Sequence, residues 1–297
     1  MNSSPRWLYV LCVVFWVATL VAWPGLHYAQ WGGSWGGSWG DAGMVRIGAF
    51  VGALAGTIAL VAGLGIDVAD TPLGIIESGR NTFSLSRLQM SLWTVLILSA
   101  LIAVAVCRGW GLLDNASWGT ALNIKIQTEL FQVMGISYFS AAAAPSILAL
   151  KSQPSSTPTQ AQLDATRARA NEPTLGAIGS VVQRPRNVAP RLSDIVQGDD
   201  VATAGTIDLS KVQQLLITVL LVTVYFAMLV NFFQMGSTAD PTTMPIFDES
   251  FVSLLALSHA GYLVYKAAPR TAPDPAMPSS PSTTPRPPPP DRNALSN

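Results

Sequence analysis

Six stretches of this chain are long and apolar enough to cross a lipid bilayer as helices, and they restrict its possible folds more than any other feature. They lie near residues 7–23, 46–66, 88–107, 129–150, 212–233 and 250–267. A helical span takes about 20 residues, and nearly all charged residues fall between the runs. Backbone polar groups in hydrocarbon must be satisfied internally, and these runs lack the alternation of barrel strands. The sequence therefore predicts an all-α fold, a polytopic transmembrane bundle with six spans.

Composition supports a membrane protein and argues against nucleic acid as a partner. Hydrophobic residues make up 49 % of the chain and charged residues only 11 %, whereas soluble domains carry about 25 % charged residues. The formal net charge is zero, so no overall field attracts nucleic acid, and the expected partner is the lipid bilayer. Cys12 and Cys107 belong to different predicted spans and have neither metal-ligand nor disulfide-framework spacing.

A segment of twelve residues occurs twice. LSRLQMSLWTVL at Leu85–Leu96 and LSKVQQLLITVL at Leu209–Leu220 are identical at seven positions. Matching apolar residues carry little weight, because they are common in any span. The informative matches are polar: Ser86 with Ser210, Arg87 with Lys211, Gln89 with Gln213 and Thr94 with Thr218. A second apolar run follows each copy, and MGISYFS from Met134 aligns with LALSHAG from Leu255. The pattern predicts a duplicated pair of parallel two-helix hairpins.

This repeat divides the chain into five parts. Residues 1–70 form an N-terminal hairpin with a Trp- and Gly-rich external loop, WGGSWGGSWG, which is expected to lie at the membrane interface. Residues 71–150 and 206–268 are the two repeated hairpins. Residues 151–205 form a cytoplasmic loop, disordered at its Ser-, Pro- and Thr-rich start, with a short surface helix expected in RLSDIVQGDD at Arg191–Asp200. Residues 269–297 form a proline-rich disordered tail.

The distribution of basic residues predicts the orientation. Of the 17 Lys and Arg residues, 14 lie on one side of the predicted spans and three, Arg46, Arg108 and Lys125, on the other. The basic side of a membrane protein is cytoplasmic. Both termini are therefore expected in the cytoplasm of a multi-pass inner-membrane protein. A cleaved signal peptide at the first span is the alternative, which would leave five spans.

The polar residues of the repeat lie where each helix enters the membrane. Ser84 and Asp208 precede the first turn and suit N-capping, while Arg87 and Lys211 are expected to snorkel toward lipid phosphates. An amide at Gln89 or Gln213 needs a hydrogen-bond partner inside the bundle. We interpret Ser86, Arg87, Gln89, Ser210, Lys211 and Gln213 as capping and interhelical hydrogen-bonding residues. A ligand-facing role is the alternative.

Two further sets of residues are candidates for packing or function. Gly48, Gly52 and Gly56 form a GxxxGxxxG motif that allows close helix contact, within the chain or, as we favour, between subunits of a homo-oligomer. His259 lies midway along the sixth predicted span, where an ionisable residue is a functional candidate. Its repeat equivalent is Tyr138, and Ser258 and Ser137 precede them. This mid-membrane polar layer fits either an interhelical hydrogen-bond network or a proton- or ion-linked site.

No catalytic motif is present in the sequence. The chain has no HExxH, GxSxG or P-loop pattern and no pair of intramembrane carboxylates. We therefore expect no catalytic residues, no metal site, no cofactor and no enzymatic activity.

Three segments of the chain are distinctive: ESGRNTFSLSRLQ at Glu77–Gln89, RLSDIVQGDD with the following IDLSKVQ, and LALSHAGYLVYKA at Leu255–Ala267. They resemble uncharacterised bacterial polytopic inner-membrane proteins with duplicated SLSRxQ and DLSKxQ membrane hairpins. In the first hairpin MGISYFSAAAAPS replaces the HAGYL-like form. The resemblance implies a bacterial inner-membrane location and no particular activity.

The sequence favours a non-enzymatic, oligomeric membrane scaffold or anchor. It would present the loop between the repeated hairpins to a cytoplasmic protein partner. The alternative is a small channel or transporter whose path includes the Ser137/Tyr138 and Ser258/His259 layer.

Overall fold

The computed structural model describes residues 13–14, 16–17, 39–113, 118–153, 157–235 and 243–270. Its elements, in chain order, are α1 (Trp39–Ala69), α2 (Leu85–Gly109), α3 (Thr128–Lys151), α4 (Gln160–Ala170), β1 (Gly176–Ile178), β2 (Val181–Gln183), α5 (Leu209–Met235) and α6 (Glu249–Ala267). Within the described ranges, short 3-10 turns occupy Gly74–Ile76, Trp118–Thr120 and Leu192–Ile195. The described part of the chain is mostly helical, as the sequence predicts.

Four of these helices have the length and composition to cross a membrane. They are Ala42–Ala69, Leu85–Gly109, Thr128–Lys151 and Leu209–Met235, and they contain four of the six predicted runs. This finding supports the prediction of a helical membrane protein. The run at 250–267 forms α6 but does not meet the same criterion. Most of the run at 7–23, most of the Trp- and Gly-rich loop and nearly all of the proline-rich tail lie outside the described residues.

The long helices pack around a filled interior. Helix α1 packs on α2 and α5, α2 also contacts α3 and α5, and α6 packs on α3 and α5. Large buried side chains occupy the centre: Trp93 and Tyr225 are 1 % and 0 % exposed, and both rings contact Phe247 at centroid distances of 5.9 and 5.0 Å. Dense aromatic contact of this kind stabilises a core. These aromatic side chains therefore fill the space between α2, α5 and the segment before α6.

The glycine motif of α1 makes a contact within the chain. Gly48 is half-buried, while Gly52 and Gly56 are buried. A Cβ atom at Gly56 would lie 1.8 Å from Cδ1 of Trp16, so this approach requires glycine. At Gly56 a side chain of the same polypeptide occupies the small-residue surface. The contact between subunits that the motif favours stays a prediction.

Residues 157–208 fold into a small unit between α3 and α5, which we call the linker domain. Helix α4 starts with a capping box in which Thr159 and Gln162 exchange hydrogen bonds. Strands β1 and β2 pair antiparallel, with Ala177 opposite Val182. A small apolar core joins them: Leu175, Val182, Val201 and Ala204, with Leu163, Ala170 and Ala177 at its edge.

Residues 154–156, in the Ser-, Pro- and Thr-rich start that is expected to be disordered, lie outside the described residues. The rest of the expected loop folds as the linker domain. Its low apolar content concealed a core assembled from residues far apart in sequence. The expected surface helix in RLSDIVQGDD is a single 3-10 turn, Leu192–Ile195. Asp194 and Ile195 of that turn are buried, and the chain then continues to Asp199 and Asp200.

Candidate functional site

Cations from three separate parts of the membrane bundle meet at one carboxylate of the linker domain. Asp199 pairs with Lys266 at 2.6 Å, Lys211 at 3.1 Å and Arg80 at 3.1 Å. Lys211 lies in the first turn of α5, Lys266 in the last turn of α6, and Arg80 just before α2. Asp199 thus joins the linker domain to the ends of three helices.

The neighbouring carboxylate, Asp200, joins the linker domain to a fourth helix. Its Oδ2 accepts a hydrogen bond from Nζ of Lys151, in the last turn of α3, at 2.9 Å. Arg270 beyond α6 lies 3.9 Å away from the same oxygen. We call Asp199 and Asp200 with Arg80, Lys151, Lys211 and Lys266 the aspartate clamp. All four helices of the two predicted hairpins contribute to it or are adjacent to it.

Electrostatics favour the charged form of Asp199 strongly. Burial alone would raise the pKa of this carboxyl, but the charges of Lys211, Lys266 and Arg80 and the hydrogen bond from Lys266 hold its pKa well below the usual value of 3.8. The side chains of Lys211, Lys266 and Asp199 are only 3 %, 8 % and 14 % exposed. These ion pairs are therefore shielded from the solvent screening that weakens surface pairs.

A second buried network attaches the linker domain to the chain before α2. Arg184 pairs with Glu172 at 2.8 Å and with Asp194 at 2.7 Å; burial alone would lower the guanidinium pKa, but hydrogen bonds to Asp194 and Glu172 outweigh it and raise the pKa. The backbone N–H of Arg184 donates to the Arg80 carbonyl. Nδ2 of Asn81 donates to the Pro185 carbonyl at 2.6 Å. Such doubly paired arginine is geometrically specific, so it fixes the orientation of the domain.

The paired residues of the sequence repeat have different surroundings. Oγ of Ser86 is buried and donates to the Tyr262 hydroxyl at 3.3 Å, whereas Ser210 bonds to the Asp208 carboxylate beside it. Arg87 is half-buried and donates to the Glu77 carbonyl at 2.5 Å. Lys211 was expected to snorkel toward lipid, but it is 3 % exposed and points into the aspartate clamp. A carboxylate within reach outweighs solvation of this ammonium group by lipid phosphates.

The two expected helix caps also differ. Asp208 caps α5, since its Oδ1 accepts from the backbone N–H groups of Ser210 and Lys211 at 3.0 and 3.3 Å. Ser84 stands at the N-cap of α2 but its side chain makes no capping hydrogen bond.

A polar contact between α2 and α5 lies below the clamp. Gln89 accepts from Nε2 of Gln214 at 2.8 Å and donates to Oγ1 of Thr218 at 2.6 Å. All three side chains are fully buried. The sequence alignment paired Gln89 with Gln213, but Gln213 is exposed. One residue corresponds to about 100° of helix rotation, so only Gln214 lies on the face of α5 that contacts α2.

The predicted mid-membrane layer is only partly assembled. Ser137, Ser258 and His259 are buried, at 1 %, 7 % and 3 % exposure, on the packed helices α3 and α6. Among the described residues their hydroxyl groups and both ring nitrogens of His259 have no hydrogen-bond partner. Tyr138 instead lies at the surface, 43 % exposed, with its hydroxyl 3.1 Å from that of Thr94. Three of the four residues are therefore buried and one is not.

The carboxylates of the clamp are not among the site residues predicted from the sequence. Asp199 and Asp200 are adjacent acids in a segment whose side of the bundle carries most of the basic residues, and that imbalance was the available signal. No cluster of three or more His, Cys, Asp or Glu residues in the described ranges could hold a metal ion. Comparison with family models, curated proteins and solved structures finds no significant match to this chain.

Proposed function

We propose that this chain is a non-enzymatic, oligomeric scaffold or anchor of the bacterial inner membrane. In this proposal both termini and the linker domain face the cytoplasm, and the linker domain is the surface that a protein partner recognises. The observation that carries the proposal is the aspartate clamp. A domain held by buried ion pairs to several helix ends is pre-organised, and pre-organisation lowers the entropic cost of binding.

The proposal includes six spans and an origin by duplication. The starts of α2 and α5 and the ends of α3 and α6 meet at the clamp, as parallel hairpins require. At the opposite end, the segments that lead into α3 and α6 are adjacent, since the N–H of Met244 donates to the Lys125 carbonyl at 3.4 Å. Helix α6 is packed between α3 and α5 along the same bundle, so we assign it as a span although it is less apolar.

Exposed apolar residues of the linker domain support a docking role. Leu192 is 64 % exposed in the 3-10 turn, and Ile178 is 45 % exposed at the end of β1. Single exposed apolar residues are common, but these two project from a domain that the clamp makes rigid. They are the positions at which we expect a partner to make contact.

The docking role is tested by site-specific photo-crosslinking in native membranes. A photoreactive residue at Leu192 or Ile178 should form one discrete adduct, identified by mass spectrometry. The matched control is Leu122, which is 83 % exposed in the loop before α3, at the other end of the bundle. The same adduct in the Leu122 control, or only lipid adducts at Leu192 and Ile178, would contradict the proposal.

The orientation is tested with the same positions. Leu192→Cys should react with a membrane-impermeant maleimide only after the inner membrane is opened, and Leu122→Cys should react in spheroplasts. The reverse pattern would place the linker domain outside and overturn the assignment.

A channel or transporter is the second candidate function. The unpartnered ring nitrogens of His259 favour it, because buried polar groups without partners are costly and often functional. The filled interior around Trp93 and Tyr225 favours the scaffold. A proton flux into liposomes that contain the protein would favour transport if His259→Ala abolishes it. If liposomes with the protein leak no more protons than protein-free liposomes, the result supports the scaffold.

A further inference from the structure

We propose that a cavity beside the aspartate clamp binds a phosphate-bearing anion, and that its source is the headgroup of an anionic phospholipid. The cavity has a volume of about 210 Å³ and lies among the start of α2 and the ends of α3 and α6. This inference goes beyond the docking role, because it requires no protein partner. It needs only that these helix ends lie at a membrane surface.

The polar lining of the cavity has the chemistry of a phosphate site. Its polar side chains are Ser78, Arg80, Ser84, Arg87, Ser152 and Lys266. Three of the six are cations, and no carboxylate lines the cavity. Arginine suits phosphate because its fork of N–H donors matches two oxygens, and lysine adds a point charge. Hydroxyl groups supply further donors.

The positive charge of this region is not neutralised. Asp199 balances one of the three cations that it contacts, Arg80, Lys211 and Lys266. Arg87 pairs with no carboxylate in the part of the chain that the structure describes, and its guanidinium donates only to the Glu77 carbonyl. An anion in the cavity would offset this excess. The first turn of α2, which carries Arg87, adds the positive end of a helix dipole.

The other wall of the cavity points to a lipid as the source of the phosphate. It is formed by Ala144, Pro145, Leu148 and Ala149 of α3, and Pro145 and Ala149 are exposed on the outer face of that helix. A headgroup with acyl chains could thus occupy the polar side while its chains run along α3. Basic pockets between helix ends at the cytoplasmic leaflet are typical sites for anionic headgroups.

The test measures lipid retention by the full-length protein. We would reconstitute it in nanodiscs of phosphatidylcholine alone or of an equal mixture with phosphatidylglycerol, and count retained lipids by native mass spectrometry. Arg87→Gln is the variant, because Arg87 lines the cavity without belonging to the clamp. Arg186→Gln is the matched control, since it makes the same charge change at an exposed residue of the linker domain. Arg87→Lys tests whether charge alone restores binding.

We expect the wild type and the Arg186→Gln variant to retain phosphatidylglycerol in preference to phosphatidylcholine. Arg87→Gln should weaken this retention roughly tenfold, equivalent to about 1.4 kcal/mol, and Arg87→Lys should recover most of it. In a second arm, inorganic phosphate is added in increasing concentration to the protein in phosphatidylcholine nanodiscs, and the thermal stability of the protein is measured. An Arg87-dependent shift with phosphate, without lipid preference, assigns the site to a soluble phosphate. Equal behaviour of Arg87→Gln and Arg186→Gln in both arms overturns the proposal.

Discussion

Replacement of Asp199 by asparagine removes one negative charge from the aspartate clamp while it keeps the size of the side chain. Lys211, Lys266 and Arg80 would then remain in place with 3 %, 8 % and 17 % of their side chains exposed. Removal of one partner from a buried ion pair costs about 3–5 kcal/mol, because the other charge stays buried without compensation. We expect Asp199→Asn to destabilise the attachment of the linker domain by an amount in this range.

The matched control is Asp164→Asn, which makes the same chemical change at a surface pair. Asp164 lies 2.8 Å from Arg167 on α4, but its side chain is 61 % exposed. Surface pairs of this type contribute about 0–1 kcal/mol. Both variants lose one carboxylate, so the difference between their stabilities measures the effect of burying the ion pair.

The assay is limited proteolysis of the full-length protein in nanodiscs. When opening is fast relative to cleavage, the cleavage rate follows the population of the open form. A loss of about 3 kcal/mol should therefore raise cleavage within residues 157–208 by more than about 100-fold. Asp164→Asn should change the rate by less than about fivefold. Similar rates for the two variants would refute the view that the clamp holds the domain.

Asp199 should also make the stability of the linker domain depend on pH. The pKa of Asp199 in the folded protein is held well below its usual value of 3.8. A lowered folded pKa stabilises the folded state above the unfolded pKa, and this contribution is lost as pH falls from there toward the folded pKa. Hydrogen exchange in the linker domain should thus accelerate as pH falls below about 4 after correction for intrinsic rates. Asp199→Asn should lack this component, and an identical profile in both proteins would contradict the assignment.

Two further predictions concern contacts between helices. Gln89→Leu should lower the free energy of unfolding by about 1–3 kcal/mol, because it leaves the Gln214 amide without a buried partner. The double variant Gln89→Leu, Gln214→Leu should recover much of this loss. If the losses of the two single variants simply add in the double variant, the two residues share no contact. Gly56→Leu should lower thermal stability because its side chain collides with Trp16, and Trp16→Ala in the same protein should relieve the effect. If Trp16→Ala gives no relief, Gly56 meets a different surface.

The transmembrane helices were predictable because their signal is local. A run of about 20 apolar residues specifies a span without reference to the rest of the chain, and four helices contain the corresponding predicted runs. The GxxxG motif likewise predicted close contact at Gly56, although sequence cannot tell which surface makes it.

The linker domain and its clamp were not predictable by the same means. Arg80 and Asp199 are 119 residues apart in sequence, and neither residue type indicates its partner. Lys211 illustrates the consequence: at the start of a span a lysine is expected to reach lipid phosphates, and only the fold brings Asp199 within 3.1 Å. Gln213 and Gln214 are a second example. Alignment of the repeats selects Gln213 because it matches letters, but only the fold shows that Gln214 lies on the buried face of the helix.

Hydrogen–deuterium exchange of the full-length protein in nanodiscs tests the central claim most directly. The amides of Val182, Arg184 and Val201 donate to the carbonyls of Asp199, Arg80 and Ser180 at 3.0, 3.1 and 2.9 Å. If the linker domain is folded and clamped to the helices, peptides that contain these three amides should exchange far more slowly than an unstructured chain, and Asp199→Asn should remove most of that protection. Exchange of these peptides in the wild type at the rate of an unstructured chain would contradict the account.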